Sequence, residues 1–214
     1  MHKTQLLTIM ILLACTQIQS MQEQPRNNAV TQYRFVLTGG SGVGKSTVIK
    51  LLNDAGYQTV PEAWSSLFDE AKKQNKLDEF LTEDPVTSRE KIMDFQLALE
   101  AAIDVSKPVF LDRSTVDVVA FGQLYNVCME QWLLDIPTKD CYDLVFFFDP
   151  LPADLYEKNK REEVHCSRAQ SLQIEEYLKN IYTDMGFSLI NVPFDTPSKR
   201  MDFILETIQR VKKD

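Results

Sequence analysis

The chain has 214 residues, with 44% apolar and 25% charged side chains, the proportions of an ordinary globular protein able to bury one sizeable core. Its net charge of −8 argues against a phosphate-backbone footprint, so no nucleic-acid partner is expected and any anionic ligand must be met by local positive charge. Four cysteines without a C-x-x-C pair and only two histidines argue against a cysteine-built metal centre or a histidine base, and leave carboxylates and bound metal as the easier chemistry.

Residues 1–20 have the three-part plan of a secretory signal: Lys3 near the start, an apolar run from Leu6 to Ala14, then small polar residues to Ser20. The run is too short to cross a bilayer as a mature helix, so no transmembrane segment is expected. Leu12-Leu13-Ala14-Cys15 loosely resembles a lipoprotein box, whereas Met21 offers an alternative start. A cytoplasmic domain behind an over-extended start is the favoured reading, and export or lipid anchoring is the alternative. Residues 21–33 form a polar lead-in, and 34–212 read as one domain.

From Arg34 onward short apolar runs alternate with amphipathic stretches. Phe35–Leu37, Tyr57–Val60, Val109–Leu111, Leu144–Phe148 and Leu189–Val192 read as strands buried on both faces. Helical spacing covers Ser46–Asp54, Ser88–Val105, Ala169–Met185 and Ser198–Lys212, and a long helical stretch is expected from Trp64 to Ala102. This alternation predicts an α/β fold of the P-loop NTPase type, a kinase-like three-layer sandwich around a mainly parallel five-stranded sheet.

Between the first strand and the first helix stands Gly39-Gly40-Ser41-Gly42-Val43-Gly44-Lys45-Ser46-Thr47, a full match to G-x-x-x-x-G-K-[ST] in the required strand–loop–helix setting. Glycines let backbone N–H groups turn inward around a phosphate, and the following helix aims its N-terminus at the same anion. Lys45 supplies a cation for the β/γ oxygens, and the Ser46 hydroxyl is a ligand for Mg²⁺. The expected ligand is a nucleoside triphosphate with Mg²⁺, ATP first and GTP as the alternative.

Ligands of open α/β sheets sit at the carboxyl ends of the strands, where Glu62, Asp112 and Asp149 fall. Asp112, in L-D-R-S-T-V-D, is the preferred metal and catalytic residue, with Asp149 competing for the metal. Arg113 is suited to clamping a phosphate, and Asp117 either caps the next helix or faces substrate. Glu62 either contacts substrate, acts as a second acid/base, or is a solvated charge after Pro61. In the charged stretch Tyr156–Glu163, Arg161 is the candidate catalytic arginine of a lid, with Arg168 second.

These pieces in order (F-V-L-T-G-G-S-G-V-G-K-S-T, G-Y-Q-T-V-P-E-A, F-L-D-R-S-T-V-D, Y-D-L-V-F-F-F-D-P-L-P, the K-R-E-E stretch, M-G-F-S-L-I-N-V-P and then R-M-D-F-I-L) resemble the NadR-like AAA domain family from about Arg34 to Arg210. That family consists of P-loop proteins similar to the kinase part of bifunctional NAD-biosynthesis regulators. The resemblance implies a kinase-like fold with Lys45, Ser46, Asp112 and Arg161 at the nucleotide site, without fixing a substrate. Trp64-Ser65-Ser66 follows P-E-A where the family often has an arginine. Two functions follow: an ATP-dependent small-molecule kinase or ATPase acting on an unknown acceptor, or a nucleotide-bound switch, slow in hydrolysis, that grips a protein partner.

Overall fold

The computed structural model describes residues 33–128, 131–135, 141–159 and 166–211. In chain order these are β1 (Arg34–Thr38), α1 (Lys45–Asp54), β2 (Gln58–Val60), α2 (Ala63–Lys73), α3 (Leu77–Leu81), α4 (Pro85–Ala101) and β3 (Val109–Asp112). They continue with α5 (Thr115–Leu124), α6 (Gln131–Asp135), β4 (Leu144–Phe148), α7 (Ala153–Asn159), α8 (Arg168–Asp184), β5 (Leu189–Val192) and α9 (Pro197–Val211). The five strands form one sheet in the order β2-β3-β1-β4-β5, and every described pairing is parallel.

The unbroken apolar character of the strands follows from helices covering both faces. Side chains alternate along a strand, so Phe35 and Leu37 of β1 and Phe146 and Phe148 of β4 pack with Val48 and Leu52 of α1 and Ile204 of α9. Val36, Val145 and Phe147 point the other way, onto Val116 of α5 and Ile174, Leu178 and Tyr182 of α8. A third cluster, with Ile92, Met93 and Leu97 of α4 against Val118 and Val119 of α5, builds a wall beyond the sheet.

The expected single helical stretch from Trp64 to Ala102 is three helices. Asn75 adopts φ 56° just past the end of α2, a left-handed turn that asparagine tolerates. Asp84 then caps α4 by accepting from the Thr87 amide at 2.9 Å, and Pro85 sits in the first turn, where its missing N–H costs nothing. Leu172, placed on the apolar face of its helix by spacing, is exposed. Among the described residues no helix is long and apolar enough to cross a membrane.

Phe146 is fully buried in the central strand β4. Phe146→Ala is expected to destabilise the fold by about 3–5 kcal/mol, read as a lowered denaturation midpoint with unchanged slope.

Candidate functional site

The carboxyl end of β1 passes into the glycine loop, and Gly44 stands at the N-cap of α1 with φ 91°, a conformation that a side chain would strain. Gly40 is needed for a different reason. A Cβ there would meet the Ser171 backbone oxygen at 2.8 Å, because α8 packs directly on the loop. Ser171 Oγ also donates to the Ser41 carbonyl at 2.7 Å. From the other side Arg200 of α9, buried between the Phe148 and Phe194 rings, donates to the Val43, Pro193 and Asp149 carbonyls at 2.6, 3.0 and 2.8 Å. Carbonyls pulled outward by Ser171 and Arg200 leave the loop's amides free to face an anion.

Lys45 is buried, and its ammonium donates to the Gly40 carbonyl at 2.9 Å and more loosely to Gly39 at 3.4 Å. Burial first, and then the Arg113 charge, lower its pKa from 10.5 to about 8, against the opposing pull of Asp112, Glu62 and Asp117. Beside it the Ser46 hydroxyl donates to Asp112 Oδ2 at 2.7 Å, while Asp112 Oδ1 is buried with no partner among the described residues. An orphaned carboxylate oxygen next to a hydroxyl is a hard-oxygen donor set suited to Mg²⁺, which binds through one or two protein oxygens plus substrate phosphates. Asp149, the competing carboxylate, accepts from Asn191 Nδ2 at 2.7 Å.

Arg113 follows Asp112 with φ 71°, and this left-handed step turns its guanidinium back under the loop. Nε donates to Glu62 Oε1 at 2.7 Å, and Nη1 to Asp117 Oδ1 and the Gly39 carbonyl at 3.1 Å each, with the Phe121 ring 4.9 Å away. Asp117 closes a capping box with Ser114 at the start of α5. Its carboxylate also accepts from Thr38 Oγ1 at 2.6 Å and from Tyr182 at 2.5 Å. Both oxygens are therefore engaged inside the protein, and the capping alternative describes this side chain.

Glu62 stands at the N-cap of α2 and lines a cleft. Burial pushes its pKa up, but the charges of Arg113 and Lys45 and hydrogen bonds from Ser65 and Arg113 win and hold it below 4.5. Asp112 goes the other way, raised by burial and by the Glu62 charge, with Lys45, Ser46 and Arg113 opposing. The cleft runs outward between α2–α4 and α5. Gln96, Arg113 and Phe121 line its deep end, and Phe80 and Tyr125 its outer part of about 270 Å³, with Trp64 and Arg89 common to both.

The structure thus brings the glycine loop, Lys45, Ser46, Glu62, Asp112, Arg113 and Asp117 to one edge of the sheet. Arg161 lies outside the described residues. Arg168 opens α8 one turn before Ser171, with Nε buried and unpartnered among the described residues. Arg89 and Ser171 went unnoticed in the sequence, Gln96 counted there only as a position of the helical pattern, and Arg200 only as the start of R-M-D-F-I-L. Only Gln96, a polar residue at an apolar position of the α4 pattern, carried a signal there.

Lys45 gives a pH prediction. An anion bound at the loop favours the charged ammonium, whereas the free protein loses that proton near pH 8. Binding above pH 8 should therefore take up a proton, and affinity should fall with rising pH by up to about tenfold per unit. Calorimetry in two buffers of different protonation heat counts the proton; no uptake above pH 8 contradicts the depressed value.

Three kinds of comparison bear on this geometry. Residues 34–200 match the family described as AAA domain. A protein of Frog virus 3 (isolate Goorha) named "Putative deoxynucleoside kinase" is 37% identical over 102 residues, covering 45% of this chain and 48% of that protein. Among solved structures, NadR in complex with NAD and AMP-PNP superposes with a TM-score of 0.57 at 14% identity, covering 82% of this chain and 49% of that one. Thymidylate kinase from Candida albicans gives 0.55 at 17% identity, covering 86% and 94%. Shikimate kinase from Acinetobacter baumannii gives 0.57 at 14%, covering 86% and 97%. The chain spans about half the length of the viral protein and of the NadR chain. The structural likenesses establish the fold, a kinase-like P-loop α/β sandwich, and the match across most of the sequence makes this chain a member of the AAA domain family.

Proposed function

We propose that the protein transfers the γ-phosphoryl group of Mg²⁺–ATP to a hydroxyl of a small, nucleoside-like acceptor. The observation that carries this reading is the join between two halves of one site: the cradle of Lys45, Ser46 and Asp112 opens beside Glu62, which lies on the floor of an aromatic-walled cleft. A nucleotide switch needs the cradle but has no use for an ionised carboxylate held on the floor of a cleft beside it. The viral relative's name and the kinase neighbours agree with a phosphotransferase.

The residues divide the work as phosphoryl transfer requires, by positioning and charge neutralisation. Loop amides and Lys45 hold the β- and γ-phosphates. Ser46 and Asp112 would hold the Mg²⁺, which when bound offsets charge on the phosphate oxygens. Glu62, kept ionised by Arg113 and Lys45, accepts the hydrogen bond of the acceptor hydroxyl and then its proton. Arg113 is a positioning residue, since its bonds to Glu62 and Asp117 fix the carboxylate that meets substrate. Trp64, Phe121 and Tyr125 exclude water and hold the flat part of the acceptor. Arg161 and Arg168 are the candidates to close over the phosphate.

Residues 21–214 are offered Mg²⁺–ATP with panels of nucleosides and other small alcohols, and ADP release is followed. One acceptor class should raise release. Lys45→Ala should abolish it, and Glu62→Gln should lower kcat by about 10²–10⁴-fold with ATP binding retained. ATP binding that persists with no acceptor-dependent release, alongside nucleotide-dependent capture of a protein, would replace this reading with the switch.

A further inference from the structure

Three buried or half-buried arginines of the described residues, Arg34, Arg113 and Arg200, are answered from within the chain. Arg34 pairs with Glu100 and lies over the Tyr142 ring. Arg113 is held by Glu62 and Asp117, and Arg200 by three carbonyls. Arg89, in the second turn of α4, is different. It borders both the deep and the outer parts of the cleft, half-buried, with its guanidinium 5.8 Å from the Tyr125 ring centre. No carboxylate among the described residues pairs with it. Glu83, the acid that shares the outer cleft, is bound by Lys91. Burial lowers the pKa of Arg89, as expected for a cation partly stripped of water without a counter-ion.

We infer that Arg89 selects an acceptor that carries an anionic group, a carboxylate or a phosphate, on the part of the molecule away from its reacting hydroxyl. This rests on the proposed phosphotransfer and names its substrate class. A desolvated guanidinium recovers its cost when a ligand supplies a planar anion that accepts two parallel N–H bonds. The other end of the cleft enforces the orientation. Glu62 is ionised there, so it repels an anion and welcomes a hydroxyl, and a ligand's acidic group is driven toward Arg89. Trp64 and Tyr125 line the way with aromatic surface for a ring that joins the two groups. The acceptor is therefore a ring compound with a hydroxyl at one end and an acid at the other.

The test uses matched pairs that differ only in the acid. Thymidine is compared with thymidine 3′-monophosphate, which keeps the same 5′-hydroxyl, and methyl shikimate with shikimate. The wild-type chain should favour the acidic member of at least one pair in kcat/KM by about tenfold or more, the value of one charge-assisted bond. Arg89→Gln should erase that preference by raising KM for the acidic member alone, and Arg89→Lys should restore part of it. Melting curves of both variants verify that the fold is kept. Should turnover be absent with every pair, the phosphotransfer reading fails. Calorimetry with the same compounds then still judges the subsite, through tighter binding of the acid that is lost in Arg89→Gln. Equal or better use and binding of the neutral members, or an equal loss on both members in Arg89→Gln, overturns the inference.

Discussion

A guanidinium gripped between two carboxylates beneath the glycine loop holds this site in register. Arg113 reaches Glu62 on one side and Asp117 on the other while donating to the Gly39 carbonyl, so it ties β3, α2, α5 and the loop at one point. It does so from φ 71°, a backbone conformation that costs a side-chain-bearing residue about 1–3 kcal/mol. Buried ion pairs seldom add net stability, because desolvation consumes most of the attraction. The arrangement is better understood as geometry maintained at some energetic cost. Asp117 is in turn fixed by Thr38 of β1, by Ser114 at the start of α5 and by Tyr182 of α8, so the central strand and two helices of one face determine where Glu62 stands.

That fixed geometry lets neighbouring carboxylates take different protonation behaviour. Glu62 feels Arg113 directly and is held below the usual carboxylate range, whereas Asp112 bears the cost of burial and the repulsion of Glu62. Divergent environments of this sort separate the roles of paired acids. A group reluctant to ionise on its own gains most from a dication, which suits Asp112 to the metal. A group already ionised suits a hydroxyl, the role proposed for Glu62. The sequence put Asp112 first for both duties, with Glu62 as a candidate second acid/base, because how Arg113 divides its charge between the two acids is not visible from their spacing along the chain.

Legibility in the sequence followed the range of the interactions. The five strands and the glycine loop were readable because each is specified by consecutive residues: apolar runs buried on both faces, and glycines in the one segment whose backbone must turn inward. The break between α2 and α4 was readable too, since Asp84-Pro85 is a helix-start signal, but the apolar spacing on either side masked it. Arg200 and Ser171 lay beyond reach. Arg200 touches the loop from 157 positions away and Ser171 from 130. Arg200 opens the R-M-D-F-I-L stretch, but nothing local to either residue marks it as a support for the glycine loop. Asp117 was ambiguous for the converse reason. Its capping role is local and visible, whereas its bond to Tyr182 comes from a helix on the far side of α5 in the chain.

The distribution of charge in an acidic protein explains why the two ends of the site attract different chemistry. Lys45 and Arg200 are both buried against the loop and both donate to neutral carbonyls, and the carboxylates of Asp112, Glu62 and Asp117 also act on Lys45. Glu62, Asp112 and Asp117 act on both Arg113 and Lys45, three carboxylates against two buried cations, so the balance beside the loop is negative. On the proposed phosphotransfer, a triphosphate is drawn to Lys45 and the loop amides. An uncharged hydroxyl is the group that can approach from the other direction without opposing the field. The net charge of −8 therefore says little about the ligand. What decides is whether each buried cation is matched by a carboxylate, which cancels it, or by a carbonyl, which solvates it and leaves its charge to be felt.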